Sequence, residues 1–291
     1  MDELFSVQWK MCSFIINNEF YIMGGENEYK HQQIKLSGCG FEEKIEQKSF
    51  SLGSFDPRIF LFKILNQKLP DLPFRFDGGR CTSFNFHTLG MMCAGIQNPR
   101  TCHIFDGQNF QAAYESHWPH TAGDLVNAND KLFVLGGGNI EVEKYNFHDR
   151  NWLHLTPHVS LKDVVHRTAP DATAYLEFST VGMNNTVFAF GGLYAYGQDG
   201  PDKSFVNGLV YAMDIERYEW RIFEQALLRA RAWNRVVLSG ASFALIGGEN
   251  EHTDIERWTF NGRGYVLRVE GSKTTRLAFR IKTFTNTTQL Y

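Results

Sequence analysis

Five times along the chain a short apolar run ends in a pair of small residues. Phe20-Tyr21-Ile22-Met23 runs into Gly24-Gly25, and Met91-Met92-Cys93 runs into Ala94-Gly95. Leu132-Phe133-Val134-Leu135 ends in Gly136-Gly137, Val187-Phe188-Ala189-Phe190 in Gly191-Gly192, and Ser242-Phe243-Ala244-Leu245-Ile246 in Gly247-Gly248. Runs this short and this apolar suit strands with little water on either face. A glycine pair lets the backbone turn through positive φ and lets a neighbouring strand come close. The doublets begin at positions 24, 94, 136, 191 and 247, so the gaps are 70, 42, 55 and 56 residues. A recurring unit of about 50 residues holding four strands is a propeller blade. One such unit cannot bury both of its faces; units stacked round an axis can.

The surrounding residues fill in the strands. In the first unit a strand at 14–16, the turn Asn17-Asn18-Glu19 and the strand at 20–23 lead to the doublet. Its second half is expected at 50–55 and 59–65, so residues 26–49 read as an insertion projecting from one rim. Residues 69–73, with Pro70 and Pro73, connect to the next unit because proline stops strand pairing. The second unit has strands at 81–86, 90–95, 101–105 and 110–114, with Asp106-Gly107 as a hairpin turn. The third has 121–126, the doublet strand, 141–145, the turn at 146–151, and Trp152. The fourth has 176–181, the doublet strand, 209–213 and Trp220, with a glycine-rich polar loop at 193–207. The fifth has 236–238, the doublet strand, 255–260 and 265–269.

The ends then complement one another. Residues 4–9 form a lone outer strand, and 275–282 with 289–291 form the first strands of an unfinished unit. Joined, they make a composite sixth blade and remove an exposed edge. The expected fold class is an all-β propeller of six four-stranded blades occupying residues 1–291 as one domain, with five or seven blades also compatible with the spacing.

Composition agrees with many short strands and glycine turns: there are 25 Phe and 26 Gly, and aromatics are 14% of the chain. The formal net charge is -3 with the signs interspersed, so no basic stripe offers itself to nucleic acid. No run of about 18 apolar residues spans a membrane. The start, Met1-Asp2-Glu3-Leu4-Phe5, lacks the basic and apolar parts of a signal peptide. All five cysteines, Cys12, Cys39, Cys81, Cys93 and Cys102, lie in the first 102 residues. Such clustering points to local bridges and favours a secreted setting over the cytoplasm. Cys93 and Cys102 flank a short loop between strands expected to pair, and Cys39 is the candidate partner of Cys81, leaving Cys12 over. Asn184 and Asn286 head glycosylation triplets.

The spacing Gly136-Gly137…Tyr145…Trp152 and Gly191-Gly192…Tyr211…Trp220 resembles the kelch repeat, as do Gly24-Gly25…Phe55-Asp56-Pro57 and Gly247-Gly248…Trp258…Tyr265. The resemblance covers nearly the whole chain. Ala94-Gly95 and the missing Trp in the first, second and fifth units depart from it. It implies a stand-alone kelch-type β-propeller of animal type. Kelch-like propellers mostly bind proteins; a few, among them galactose oxidases and sialic acid mutarotases, are enzymes.

The side chains themselves carry little chemistry. His117, His120, His148, His154 and His158 are the densest histidine region, but His154 and His158 on a strand would stand about 13 Å apart, too far for one metal ion. Asp199 and Asp202 lack calcium-ligand spacing. No cofactor, metal or nucleophile–base pair is expected. The repeated Trp and Tyr read as packing between blades. Arg80, His120, Tyr175, Arg231 and Trp233 precede inner strands and are expected to ring one mouth of the central channel, where arginine forks suit carboxylates. The reading is therefore a monomeric, non-catalytic module binding a protein partner through the rim segments 26–49 and 193–207. The alternative is a carbohydrate-binding or sialic-acid-mutarotase-like propeller that uses the channel-mouth arginines.

Overall fold

A computed structural model describes residues 11–17, 19–24, 34–37, 63–64, 79–197, 204–239, 242–248, 255–260 and 266–272. Among these residues five four-stranded antiparallel sheets follow one another, each with its strands adjacent in chain order save for an excursion between the second and third strands of the fourth. The first comprises β1 (Met11–Ile16), β2 (Glu19–Gly24), β3 (Ile34–Ser37) and β4 (Lys63–Ile64). The second has β5 (Arg80–Phe84), β6 (Leu89–Gly95), β7 (Asn98–Phe105) and β8 (Phe110–Ala112). The third has β9 (Asp124–Ala128), β10 (Lys131–Leu135), β11 (Val142–Asn146) and β12 (Asn151–His154). A one-and-a-half-turn helix, α1 (Leu161–His166), and a strand β13 (Ala172–Leu176) lead on. The fourth sheet has β14 (Ser179–Met183) and β15 (Thr186–Phe190). Two rim strands, β16 (Leu193–Tyr196) and β17 (Ser204–Val206), then come before its outer strands β18 (Val210–Asp214) and β19 (Trp220–Ile222). The fifth has β20 (Arg235–Ser239), β21 (Ser242–Ile246), β22 (Ile255–Phe260) and β23 (Val266–Ser272).

The apolar doublet strands explain why sheets stack face to face. Successive strand side chains point to opposite faces. On β10, Leu132 and Val134 share a core with Phe84, Met91 and Cys93 of the preceding sheet. Phe133 and Leu135 share another with Val187, Ala189 and Tyr211 of the following sheet. On β15 the alternation repeats: Val187 and Ala189 face back, while Phe188 and Phe190 pack with Phe243, Leu245 and Trp258. Each strand is thus buried on both sides by its neighbours, which is the packing of propeller blades. Tyr145, Trp152, Tyr211, Trp220 and Trp258 are all buried, in the packing positions expected of them.

The glycine doublets are the joints between blades. Gly136 has φ +57, and a Cβ there would stand 2.7 Å from the Tyr175 carbonyl oxygen. The next residue, Gly137, donates its N–H to that same oxygen at 2.8 Å. One blade on, a Cβ on Gly191 (φ +66) would strike the Arg231 carbonyl oxygen, to which Gly192 donates at 2.8 Å. Only the absence of a side chain lets the chains meet there.

Three sequence expectations are corrected. The third strand of the first blade, β3, lies inside 26–49, the segment read as an insertion; Ile34-Lys35-Leu36-Ser37 alternates apolar and polar and pairs with β2. The segment 50–55 lies outside the described residues. The rim segment 193–207 holds β16 and β17, which with β13 form an additional three-stranded sheet. The single strand expected at 176–181 is two strands in different sheets, broken at Glu177, whose φ is +53. The helix was also not foreseen, although Ser160 and Asp163 form a reciprocal capping box ahead of buried Leu161, Val164 and Val165. The composite blade from 4–9, 275–282 and 289–291 lies outside the described residues. Among the described residues no helix is long and apolar enough to cross a membrane.

Cys93 and Cys102 stand opposite each other on β6 and β7 and form a disulfide, with Cα atoms 4.2 Å apart. That spacing is the close one of directly opposed antiparallel residues. Cys81 is itself disulfide-bonded; Cys39 lies outside the described residues.

Candidate functional site

Counting back from each doublet sorts the channel-mouth residues into three rings. The first residues of the inner strands, Arg80, Asp124, Ser179 and Arg235, each pair with the residue just before a doublet: Cys93, Leu135, Phe190 and Ile246. They are therefore structurally equivalent, and three of the four are charged. Two residues earlier stand Ala122, Glu177 and Trp233, with φ of +60, +53 and +55. Glu177 donates its N–H to Ala122 O at 2.7 Å, and Trp233 donates to Glu177 O at 2.9 Å. This backbone relay carries the chain from one blade to the next round the mouth. Left-handed φ at a tryptophan is costly and marks an over-determined position.

Side chains of these two rings converge. Arg80 is buried; its Nη2 donates to Glu177 Oε2 at 2.9 Å, and its Nε lies 3.6 Å from Asp124 Oδ1. Asp124 is fixed in turn by Thr180, whose N–H and hydroxyl donate to Oδ2 at 2.6 and 2.8 Å. Arg235 is exposed, donates to Asn234 O at 3.3 Å, and has no ion-pair partner among the described residues. Enclosure by the surrounding protein and the like charge of Arg80 both push its guanidinium below the ordinary arginine value, while Asp124 and Glu177 act the other way. Trp233, 47% exposed, stands beside it in sequence. A mouth with one guanidinium free of ion pairs among the described residues, two placed carboxylates and an exposed indole can hold an anionic, hydroxyl-rich ligand: the cation takes a carboxylate, the acids take hydroxyls, and the ring takes an apolar face.

The other residues expected at the mouth lie deeper. His120, Tyr175 and Arg231 each stand 16 residues before a doublet and are 1%, 0% and 1% exposed. Each ties its connector to the doublet of its own blade: His120 Nδ1 to Gly136 O at 2.7 Å, Tyr175 Oη to Gly191 O at 2.5 Å, and Arg231 Nη1 to Gly247 O at 3.1 Å. His120 Nε2 also meets Glu143 Oε2 at 2.9 Å, and Arg231 Nη2 meets Glu256 Oε2 at 3.3 Å. Glu143, Tyr211 and Glu256 occupy one register position on the third strands, opposite Val134, Ala189 and Leu245. These anchors build the mouth without lining it.

Arg80 thus comes together with Asp124 and Glu177, and Trp233 joins Glu177 through its backbone N–H, with Arg235 two residues on; Asp124, Glu177 and Arg235 carry no repeat signal of their own in the sequence. The signal lies in distance from the doublets, and it is offset. Arg80 stands 14 residues before Ala94, whereas Asp124, Ser179 and Arg235 stand 12 before their doublets. The two extra residues lie in the turn at 85–88, four residues long where the corresponding turn between β9 and β10 has two.

Elsewhere, His154 pairs with Glu141 at 3.2 Å and His148 with Asp149 at 2.7 Å. Among the described residues no three His, Cys, Asp or Glu side chains are grouped to hold a metal ion. Asn184 is exposed at φ +52 in the β14–β15 turn, and Asn286 lies outside the described residues.

No protein-family model matches the chain, and no curated protein matches it in sequence. Solved structures do match. One is YjhT, a β-propeller, at 17% identity and a TM-score of 0.56, covering 72% of this chain and 68% of that one. At that identity the likeness establishes the fold and leaves the chemistry to the side chains.

Proposed function

We propose that this chain is a kelch-type propeller that binds a carboxylate-bearing sugar of the sialic acid kind at the channel mouth formed by Arg80, Asp124, Glu177, Trp233 and Arg235. The observation that carries the reading is Arg235: an exposed residue with a partly enclosed guanidinium that has no ion-pair partner among the described residues, within electrostatic reach of an Arg80 already bound to carboxylates. Two cations near one opening favour an anionic guest, and the paired acids give it orientation. Arg80 positions Glu177 and Asp124; Arg235 takes the guest's carboxylate; Trp233 covers one face. Binding alone is the activity proposed, with mutarotation of the bound sugar as its catalytic extension.

Titration calorimetry with N-acetylneuraminic acid, run on wild type and Arg235→Ala, tests this. Loss of one charge-assisted contact should weaken binding about 10- to 100-fold. Absence of heat with wild type, or equal affinity in the variant, rejects the assignment.

A protein partner at the rim is the second reading. It is favoured by β17, paired with β16 on one side and carrying Phe205 at 69% exposure. Among the described residues β17 is an edge strand, and an edge with an exposed aromatic suits an added peptide strand.

A further inference from the structure

The anchors of the third and fifth blades have the same wiring and different cations. In the fifth, Arg231 gives one nitrogen to the first doublet carbonyl, Gly247 O, and another to Glu256. Glu256 Oε1 also accepts the N–H of Leu228, three residues before Arg231. In the third, His120 gives one nitrogen to Gly136 O and the other to Glu143, and Glu143 Oε1 also accepts the N–H of His117, three residues before His120. Arginine is cationic at any ordinary pH, whereas histidine titrates near neutrality.

The acceptors decide the protonation of His120. A backbone carbonyl only accepts, so Nδ1 must donate to Gly136 O. Glu143 receives three further donors: the N–H of His117 at 2.9 Å, its Nδ1 at 2.7 Å, and the N–H of Trp118 at 3.1 Å. A carboxyl that already accepts two backbone N–H groups is the ionised acceptor, so Nε2 donates as well. We propose that His120 is an imidazolium, ion-paired in the interior with Glu143, and that this pair is a clasp on the connector ahead of β9.

The surroundings leave the assignment to these two groups. His120 is 1% and Glu143 0% exposed. Of the other titratable groups, His117 on the connector is the one that touches Glu143, through a single ring nitrogen. Arg100, from β7, meets the connector through Ser116 O and lies 3.8 Å from Glu115. On the outer strands, Glu141 is paired with His154, and Asp149 lines an open cleft with Glu115 and His117. The connector continues from His120 through Ala122 to Asp124, so the clasp holds the segment that supplies one mouth carboxylate and one carbonyl of the backbone relay.

It makes no difference to the clasp whether the mouth binds a sugar.

Long-range 1H–15N spectra of the full chain with labelled histidine give a direct readout. At about pH 7.5, where free imidazole is mostly neutral, both ring nitrogens of His120 should carry protons; a neutral tautomer there overturns the assignment.

Discussion

Glu143 has no exposed surface and still carries a charge. Burial pushes its carboxyl up, but the donors from His120, His117 and Trp118 more than offset this and hold it at about 2. A carboxyl depressed in the folded state contributes stability above its ordinary value, and that contribution is lost as pH falls through about 2. Glu143→Gln should therefore lose on the order of 3–5 kcal/mol at neutral pH, because it leaves His120 buried without a counter-charge. Its acid-unfolding curve should also flatten over the range where wild type declines, measured by urea titrations at stepped pH. The sequence made the role of His120 and Arg231 partly legible. Their common distance from the doublets marks them as one structural position. Which way the side chain turns, toward the channel or into the blade, depends on where Glu143 and Glu256 sit on another strand, and no local pattern reports that.

At the scale of elements, a doublet glycine serves two separable purposes. Gly191 needs both its positive φ and the space beside Arg231 O; Gly247, at φ +74, has nothing among the described residues within 4 Å of a would-be Cβ. Gly191→Ala should cost about 2–3 kcal/mol and Gly247→Ala about 1 kcal/mol, compared by chemical denaturation. Equal costs would mean that backbone conformation alone matters. The doublet strands and most hairpin turns were readable because their signals are local. Strands β3, β16 and β17 were not. They are three or four residues long, and they exist as strands because β2, β13 and β16 offer edges to pair with. A short segment's preference is too weak to decide its state without such a partner.

Across the whole molecule, stability comes from sharing each doublet strand between two cores. Phe133 belongs to the core between the third and fourth sheets, and Leu132 and Val134 to the core between the second and third. Phe133→Ala should cost about 3–5 kcal/mol in equilibrium urea unfolding. The injury should spread to the fourth sheet, seen as faster amide exchange in β15, while β6 is spared. Uniform loss of protection in both would indicate that the blades unfold as one cooperative unit.

The repeat of apolar run and small pair was sufficient to specify an all-β ring of similar units. Burial of both faces of such runs and close approach at the pairs have no other economical solution, and both are written in nearest-neighbour chemistry. What tertiary structure alone decided is the mouth. Arg80, Asp124, Glu177 and Arg235 lie up to 155 residues apart in the chain, and two extra residues in one turn disguise their equivalence. They come together only because the packing of successive blades sets the first residues of separate strands side by side, where long-range electrostatics, invisible to local pattern, sort them into ion-paired charges and one without a partner among the described residues.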